Sequence, residues 1–430
     1  MAHPSAPAPL RLRPGFLTRL GFGLGIGLLI AYAALVVIQV KRPSYVLRTD
    51  FIGDLTGVML LAEGRPAVMY DEAAQTATQT ALLQADGLRL TQLLHFNHLP
   101  YESLLLLPLH TLGWGFGALL AAWSLLNAAA VVAGLALLAW AWPVRAPARR
   151  GLILAGLTFF PLTTAFLLGQ NSGLVFLGWA GGSAALRRGY PGWAGAAFAL
   201  ATLKPQAMPL LLLALLCDRA WRVLGTYSAV GLVSVLITMP LLGVDWPLHY
   251  IGYLLRYATV PPSGSIDPVT LQNLVGFADR LLGTGPPATA LAAGLTLLAL
   301  VVFGLLCRRT RRAGGVPGTA AWDGYWVAIL ALALLVSPHV QRHDLTLALV
   351  PGWILAAQAL AAGRARRLAW LGLGWLAGLI AGVVPSLVLS PAVLWLACTA
   401  GWLLWSLGNS NTSPTQIVAA NVDNTLVNPL

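Results

Sequence analysis

The sequence contains little charge. Only 9% of its 430 residues are charged, whereas 58% are hydrophobic. Soluble domains carry roughly a quarter charged residues, so a soluble protein is excluded. Apolar stretches recur from Leu17 to Leu407 without a polar interval long enough to fold separately. One integral membrane domain over residues 1–408 is therefore expected.

Cysteine and acidic residues are also scarce. The three cysteines, Cys217, Cys307 and Cys398, lie in or beside apolar segments at unpaired spacings, so neither a disulfide nor a zinc site is predicted. Basic residues outnumber acidic ones by 26 to 14, a balance that often indicates a nucleic-acid partner. Here the basic residues lie at the ends of apolar runs, which is typical of membrane proteins. We therefore expect contact with membrane lipids and none with nucleic acid.

Apolar runs predict an all-α integral membrane protein, since about 20 apolar residues cross the hydrocarbon layer as a helix. About twelve transmembrane helices are expected, with short interfacial helices in the extracytoplasmic loops. The predicted spans are residues 17–40, 116–142, 151–169, 171–186, 190–203, 206–217, 223–242, 285–307, 321–337, 345–362, 368–387 and 390–407. The pair 190–203 and 206–217 is predicted to be tilted or broken around Lys204 and Pro205.

Arginine clusters predict the orientation. Every second gap between apolar runs is rich in arginine, and these gaps hold 17 of the 26 basic residues. By the positive-inside rule they face the cytoplasm. The sequence thus predicts a multi-pass protein of the cell (inner) membrane with both termini cytoplasmic. Two long loops, 41–102 and 243–284, are extracytoplasmic, and the polar segment 409–430 is predicted to be a poorly ordered cytoplasmic tail.

The first outer loop offers a candidate general base. Asp50 follows the first span by about ten residues, close to the plane of lipid headgroups. A carboxylate is suited to deprotonating a sugar hydroxyl. Alternatively, Asp50 caps a short helix from Gly53 to Leu61. Asp54, one turn further on the same face, is the competing base.

The end of that loop carries a second polar group of residues. Asn97, His98 and Glu102 precede an apolar helix whose entry Pro100 fixes. They are candidate hydrogen-bond partners of sugar hydroxyls at the rim of an outer cavity. Glu102 also suits the first turn of the helix electrostatically, which is the alternative explanation for it.

Lys204 lies between two apolar segments, where a lone ammonium is costly unless it meets an anion such as a lipid phosphate. Gln170, within Gly169-Gln170-Asn171, is a further candidate contact at the outer end of a span. Turn formation is the competing explanation of that tripeptide.

Ser337 to Asp344 is the densest polar cluster. His339 and His343 have the spacing of a helical metal pair, but Pro338 suggests a broken turn and no third ligand is evident. Binding of phosphate by Arg342 and the histidines, with Asp344 nearby, is the preferred interpretation. No metal and no cofactor are expected.

Five motifs follow one another in a particular order. They are Asp50-Phe51 with Gly64-Arg65-Pro66, the segment Asn97 to Glu102 before Pro108-Leu109, Gly169-Gln170-Asn171, Leu203-Lys204-Pro205, and Ser337-Pro338-His339 followed by Asp344. From about Asp50 to Val350 the chain resembles glycosyltransferase family 87, polytopic transferases of the C-type fold. The family frequently has Tyr-Pro-Pro or His-Pro-Pro where this chain has His98-Leu99-Pro100.

The resemblance implies a hexosyltransferase-type enzyme with Asp50 as its base, and the lack of a third ligand beside His339 and His343 predicts that it is metal-independent. Its donor would be a polyprenyl-phosphate sugar, a mannose-like hexose or a pentose, and its acceptor a lipid or glycan hydroxyl on the extracytoplasmic face. A secondary transporter or flippase is the alternative, but the midplane charges and paired half-repeats expected of one are not evident. A non-catalytic scaffold would leave the Ser337 to Asp344 cluster without a purpose.

Overall fold

The computed structural model describes residues 14–42, 45, 47, 49–85, 87–259 and 270–409. Within these ranges the chain is helical and has no β-strand. Its α-helices are α1 Pro14–Val40, α2 Phe51–Ala62, α3 Glu72–Ala85, α4 Pro100–Thr111, α5 Phe116–Ala141, α6 Ala146–Leu157, α7 Phe160–Leu168, α8 Ser172–Arg187, α9 Pro191–Leu200, α10 Pro209–Cys217, α11 Trp221–Leu242, α12 Trp246–Thr259, α13 Leu274–Leu282, α14 Pro286–Arg312, α15 Ala320–Val336, α16 Leu349–Ala361, α17 Ala365–Val383 and α18 Pro391–Asn409.

Five helical segments of the described chain are long and apolar enough to cross a membrane: Gly21–Gln39, Phe116–Ala141, Trp221–Leu242, Pro286–Arg312 and Asp344–Ala361. A sixth arises if α6 and α7, which meet at a 44° bend, form one span. The predicted all-α fold is therefore confirmed for the described residues, and it includes five or six candidate membrane spans. The number twelve stays a prediction, because most of the other predicted spans correspond to shorter helices.

The chain is broken at Lys204. Two short 3-10 turns, Ala201–Leu203 and Pro205–Ala207, separate α9 from α10. Pro205 has no backbone N–H to donate, so the helical hydrogen-bond ladder is interrupted there. The break predicted around Lys204 and Pro205 is thus present, and it places the Lys204 side chain between helices.

Helix α15 forms the centre of the core. Every residue from Trp322 to Leu335 is buried, because α10, α14, α16 and α18 pack around it. A helix that is apolar on all sides is stable only when enclosed in this way. Its C-terminal end leads directly into the Ser337 to Asp344 cluster.

The predicted first outer loop folds as α2 and α3 with an extended segment beside them. The Gln79 side chain donates to the Leu94 carbonyl over 2.6 Å and accepts from the Leu94 N–H over 3.1 Å. Gln75 accepts from the Phe96 N–H over 2.9 Å. Both glutamines are fully buried, and they supply backbone hydrogen bonds that a neighbouring strand would otherwise provide to the extended segment. They fix the approach of the chain to His98.

Parts of the sequence-based interpretation lie outside the described residues. These parts are Arg11 and Arg13 of the first arginine cluster, residues 260–269 of the second outer loop, and the tail from residue 410 onward. The described part of the second loop forms α12 and α13.

Candidate active site

Gln170 connects two distant parts of the chain. Its amide donates to Oδ2 of Asp50 over 2.7 Å, and its oxygen accepts from Nζ of Lys204 over 3.0 Å. The same ammonium pairs with Oδ1 of Asp344. Lys204 is therefore not a lone cation, since a buried carboxylate 140 residues away in sequence neutralises it.

Gly169 explains why Gln170 can reach Asp50. Its φ of +68° belongs to the left-handed region and ends helix α7. A Cβ at this position would lie 2.6 Å from Cβ of Phe51, the residue that follows Asp50. Trp123 donates to the Gly169 carbonyl over 2.9 Å and holds the turn in place. The tripeptide thus forms the predicted turn and also carries a site residue.

Asp50 occupies the position before α2, but its side chain makes no capping hydrogen bond. The carboxylate is turned to Gln170 instead. Burial raises the pKa of Asp50 above its ordinary value, while the Gln170 hydrogen bond and the Lys204 charge act in the opposite direction. Capping therefore does not account for this carboxylate.

A second group of side chains gathers around His98. Its Nδ1 lies 3.0 Å from Oδ1 of Asp54 and 2.9 Å from Oε2 of Glu102. Oε1 of Glu102 accepts from the Asn171 amide over 2.9 Å. Both carboxylates are buried, with Asp54 5% and Glu102 2% exposed. Glu102 lies in the first turn of α4, as the sequence predicted, but it also takes part in this cluster.

Burial opposes a positive charge on His98, but the carboxylates of Glu102 and Asp54 outweigh it and raise the pKa of His98 well above its usual value. Burial likewise raises the pKa of Asp54 to about 6, against the opposing effect of His98. Asp54, His98 and Glu102 thus form one carboxylate–imidazole cluster. Asp50 belongs to a second network, which consists of Asp50, Gln170, Lys204 and Asp344.

The two networks meet at Gln170 and Asn171, which are adjacent in sequence. Tyr101 adds a further connection, because its hydroxyl lies 2.7 Å from the Thr202 hydroxyl, two residues before Lys204. Asn171, Tyr101 and Thr202 are site residues that the sequence did not predict. Asn171 was visible beside Gln170, whereas nothing in the sequence pairs Tyr101 with Thr202.

The Ser337 to Asp344 segment is not helical before Asp344. Oδ2 of Asp344 accepts from the Gln341 N–H over 2.9 Å, and Nε2 of His343 lies 3.4 Å from its Oδ1. Burial lowers the pKa of both His339 and His343, the latter to about 3. Both imidazoles are therefore neutral, and positive charge in the cluster comes from Arg342.

Arg342 forms no ion pair with any described residue, and its guanidinium donates to the Gly382 carbonyl over 3.3 Å. Asn97 enters the site through its backbone, where its carbonyl accepts from Tyr250 over 3.4 Å. Tyr70, which donates to the His98 carbonyl over 2.9 Å, stacks between Phe96 and Tyr253. These aromatic rings form one wall beside His98.

Within the described ranges, one group of three metal-ligating side chains converges: Asp54, His98 and Glu102, whose ligand atoms all lie within 4.8 Å of one another. The pair His339 and His343 gains no third ligand there. The arrangement offers a partly buried carboxylate for proton transfer, a guanidinium with no ion-pair partner among the described residues, and a separate carboxylate–imidazole cluster.

Buried ionisable side chains gathered within an all-helical membrane protein are typical of a functional site. The model of glycosyltransferase family 87 matches residues 99–338, more than half of the chain. The chain therefore belongs to glycosyltransferase family 87 and is a membrane glycosyltransferase. No curated protein and no solved structure matches it. Glu102, Gln170 and Lys204 lie inside the matched range, whereas Asp50, Asp54, His98 and the residues from His339 to Asp344 lie outside it.

Proposed function

We propose that this glycosyltransferase moves a single sugar, a mannose-like hexose or a pentose, from a polyprenyl-phosphate donor to a hydroxyl of a lipid or glycan. The observation that carries the proposal is the Asp50 carboxylate, which is partly buried, does not cap α2 and accepts a hydrogen bond from Gln170. The resemblance to the family supplies the donor class.

In the proposed reaction Asp50 takes the proton of the acceptor hydroxyl. The hydroxyl oxygen forms a bond to the anomeric carbon as the bond from that carbon to the phosphate oxygen breaks. Polyprenyl phosphate leaves with the electron pair. The raised pKa of Asp50 suits this role, because a stronger base takes a larger share of the proton in the transition state.

The donor phosphate is proposed to bind between Lys204 and the group His339, Arg342 and His343. Arg342 supplies a positive charge with no carboxylate partner among the described residues, and Lys204 supplies one that it shares with Asp344. The neutral histidines serve as hydrogen-bond donors. No metal is placed at the phosphate.

The proposed location is the extracytoplasmic face of the cell (inner) membrane, with a multi-pass chain whose termini are both cytoplasmic. The predicted outer loops and span ends contribute all the residues of both networks, which supports a single site on that side. The arginine clusters support the orientation.

The experiment compares variants in a membrane assay with several radiolabelled polyprenyl-phosphate sugars. Asp50→Asn keeps the shape of the side chain and removes its basicity, so turnover should fall by about 10²–10⁴-fold while donor binding survives. Asp71→Asn is the matched control. Asp71 precedes α3 and does act as a cap, accepting from the Ala74 N–H over 2.8 Å, a task that Asn performs as well.

An active Asp50→Asn enzyme would contradict the proposal. If Asp54→Asn is inactive while Asp50→Asn is not, the base lies one helical turn further on. Absence of transfer from every polyprenyl-phosphate sugar to any acceptor would reject the donor class.

A further inference from the structure

The Asp54, His98 and Glu102 cluster has a geometry that proton sharing does not explain. Nδ1 of His98 is within 3.0 Å of one oxygen from each carboxylate. Nδ1 of His98 and Oε2 of Glu102 are both buried, and neither makes a hydrogen bond of regular geometry. Two buried carboxylate oxygens and an imidazole nitrogen thus point into one small space.

The spacing of these atoms matches the edge of an octahedron. Neighbouring ligands of an octahedral cation at about 2.1 Å lie about 3.0 Å from each other. Neighbouring ligands of a tetrahedral zinc ion at about 2.0–2.1 Å lie further apart, at about 3.3 Å. The observed separations of 2.9 Å and 3.0 Å fit the octahedral arrangement.

Charge favours the same conclusion. Within the described residues, neither Asp54 nor Glu102 forms an ion pair with Lys or Arg. A protonated His98 neutralises one of the two carboxylates and leaves one buried negative charge, which is costly. A divalent cation neutralises both and leaves His98 neutral.

The surroundings hold the ligands in place. Asn171 donates to the second oxygen of Glu102 and so orients the first towards His98. Pro100 starts α4 between His98 and Glu102, and Asp54 lies in the first turn of α2. The ligands thus come from helix beginnings whose backbone is fixed by packing.

We propose that Asp54, His98 and Glu102 form a binding site for one octahedral divalent cation, with Mn²⁺ as the probe. One imidazole with two carboxylates is a ligand set that Mn²⁺ accepts. This site is separate from the proposed donor phosphate site and does not depend on the transfer reaction. It departs from the expectation of a metal-independent enzyme, which rested on His339 and His343.

The test uses the purified full-length protein in detergent, treated with EDTA and then freed of it. Mn²⁺ is added in steps, and the free ion is measured by electron paramagnetic resonance. One bound Mn²⁺ per chain is expected, and pulsed measurements should detect the nitrogen of a coordinating imidazole. Asp54→Asn and Glu102→Gln should each raise Kd by at least about 10-fold, and Asn171→Ala, which removes no ligand, by about 10-fold or more.

Asp245→Asn is the matched control, because Asp245 and His249 form an exposed carboxylate–imidazole pair at 3.4 Å with no third ligand. Its Kd should equal that of the unaltered chain. A folded protein that binds no Mn²⁺ would contradict the proposal, because His98 would then bind a proton and no metal ion. The proposal would also be overturned if Mn²⁺ binds without an imidazole nitrogen signal, or if Asp54→Asn and Glu102→Gln leave its binding unchanged. The nitrogen signal is measured on the unaltered protein, so it tests the site even if a variant fails to fold.

Discussion

Gln170 donates a 2.7 Å hydrogen bond to the carboxylate of Asp50, although 120 residues separate them in sequence. The same side chain accepts from Lys204. One amide therefore joins the proposed base to the ammonium of Lys204. This relationship gives the site a fixed geometry, and it makes the protonation of Asp50 depend on Gln170.

Removing this amide should shift the pH dependence of the reaction. Asp50 acts as a base only when deprotonated, and burial already raises its pKa. The Gln170 hydrogen bond stabilises the charged form, so Gln170→Leu should raise the pKa of Asp50 further. We expect the acid limb of the kcat/KM profile to move to higher pH. Gln358→Leu is the control, because Gln358 donates to the Ala320 carbonyl over 3.4 Å and takes no part in the Asp50 network. If the acid limb does not move in Gln170→Leu, the group that titrates in the kcat/KM profile is not Asp50.

The sequence predicted much of the fold because hydrophobic runs, arginine clusters and proline positions are local signals. The break at Lys204 follows from Pro205, and the helix start at Pro100 from the proline itself. The length of individual spans was less predictable, since short helices such as α9 and α10 are stabilised by packing against neighbours rather than by their own apolar length.

The site was predictable as a list of residues and not as a set of contacts. Asp50, Gln170 and Lys204 were each selected from local chemistry, yet their mutual hydrogen bonds depend on the turn at Gly169 packing against Phe51. Lys204 was expected to lack an anionic partner because its neighbours in sequence are apolar. Its partner Asp344 lies in another part of the chain and becomes visible only when the chain folds.

The Lys204 and Asp344 pair should be coupled in stability. Both side chains are buried, so Lys204→Met leaves an uncompensated carboxylate, at a cost of about 3–5 kcal/mol. Asp344→Leu should cost a similar amount, and the double variant much less than the sum of both. Thermal unfolding in detergent measures this, with Arg65→Met as the control, since its exposed pair with Glu63 contributes only about 0–1 kcal/mol. Additive losses would show that the two charges do not depend on each other.

Gly169 should tolerate no side chain. Gly169→Ala combines a positive φ with a Cβ 2.6 Å from Phe51, so both Tm and turnover should fall as Gln170 is displaced. Gly64 is the matched control, because it has the same φ of +68° and no atom within 4 Å of the added Cβ. Gly64→Ala should lower the free energy of unfolding only by the cost of a left-handed backbone conformation, about 1–2 kcal/mol, and should leave turnover unchanged. Equal effects of the two substitutions would mean that the contact with Phe51 does not position the site.

Arg342 should contribute to donor affinity. A charge-assisted hydrogen bond contributes about 1.5–3 kcal/mol, so Arg342→Ala should raise the KM for the donor by roughly 10–100-fold. Lys204→Ala should act in the same direction. Arg65→Ala, which removes an exposed arginine of the first outer loop, serves as the control. Steady-state kinetics with varied donor decides, and an unchanged KM in both folded site variants would reject this placement of the phosphate.

The two ends of α14 should lie on opposite sides of the membrane. The helix runs over 27 residues from Pro286 to Arg312 and ends in Arg308, Arg309, Arg311 and Arg312. At 1.5 Å per residue it is about 40 Å long, which exceeds the hydrocarbon layer of about 30 Å. Since arginines are retained on the cytoplasmic side, Thr284 should face outward and Ala313 inward.

Single cysteines at these positions test the orientation after the native Cys217, Cys307 and Cys398 are replaced by serine. Both Thr284 and Ala313 are exposed, so either cysteine is accessible to a reagent on its own side. In intact cells an impermeant thiol reagent should label Thr284→Cys, whereas Ala313→Cys should react only after permeabilisation. Labelling of Ala313→Cys in intact cells together with protection of Thr284→Cys would invert the orientation. The site networks would then face the cytoplasm, and an extracytoplasmic transfer reaction would be ruled out.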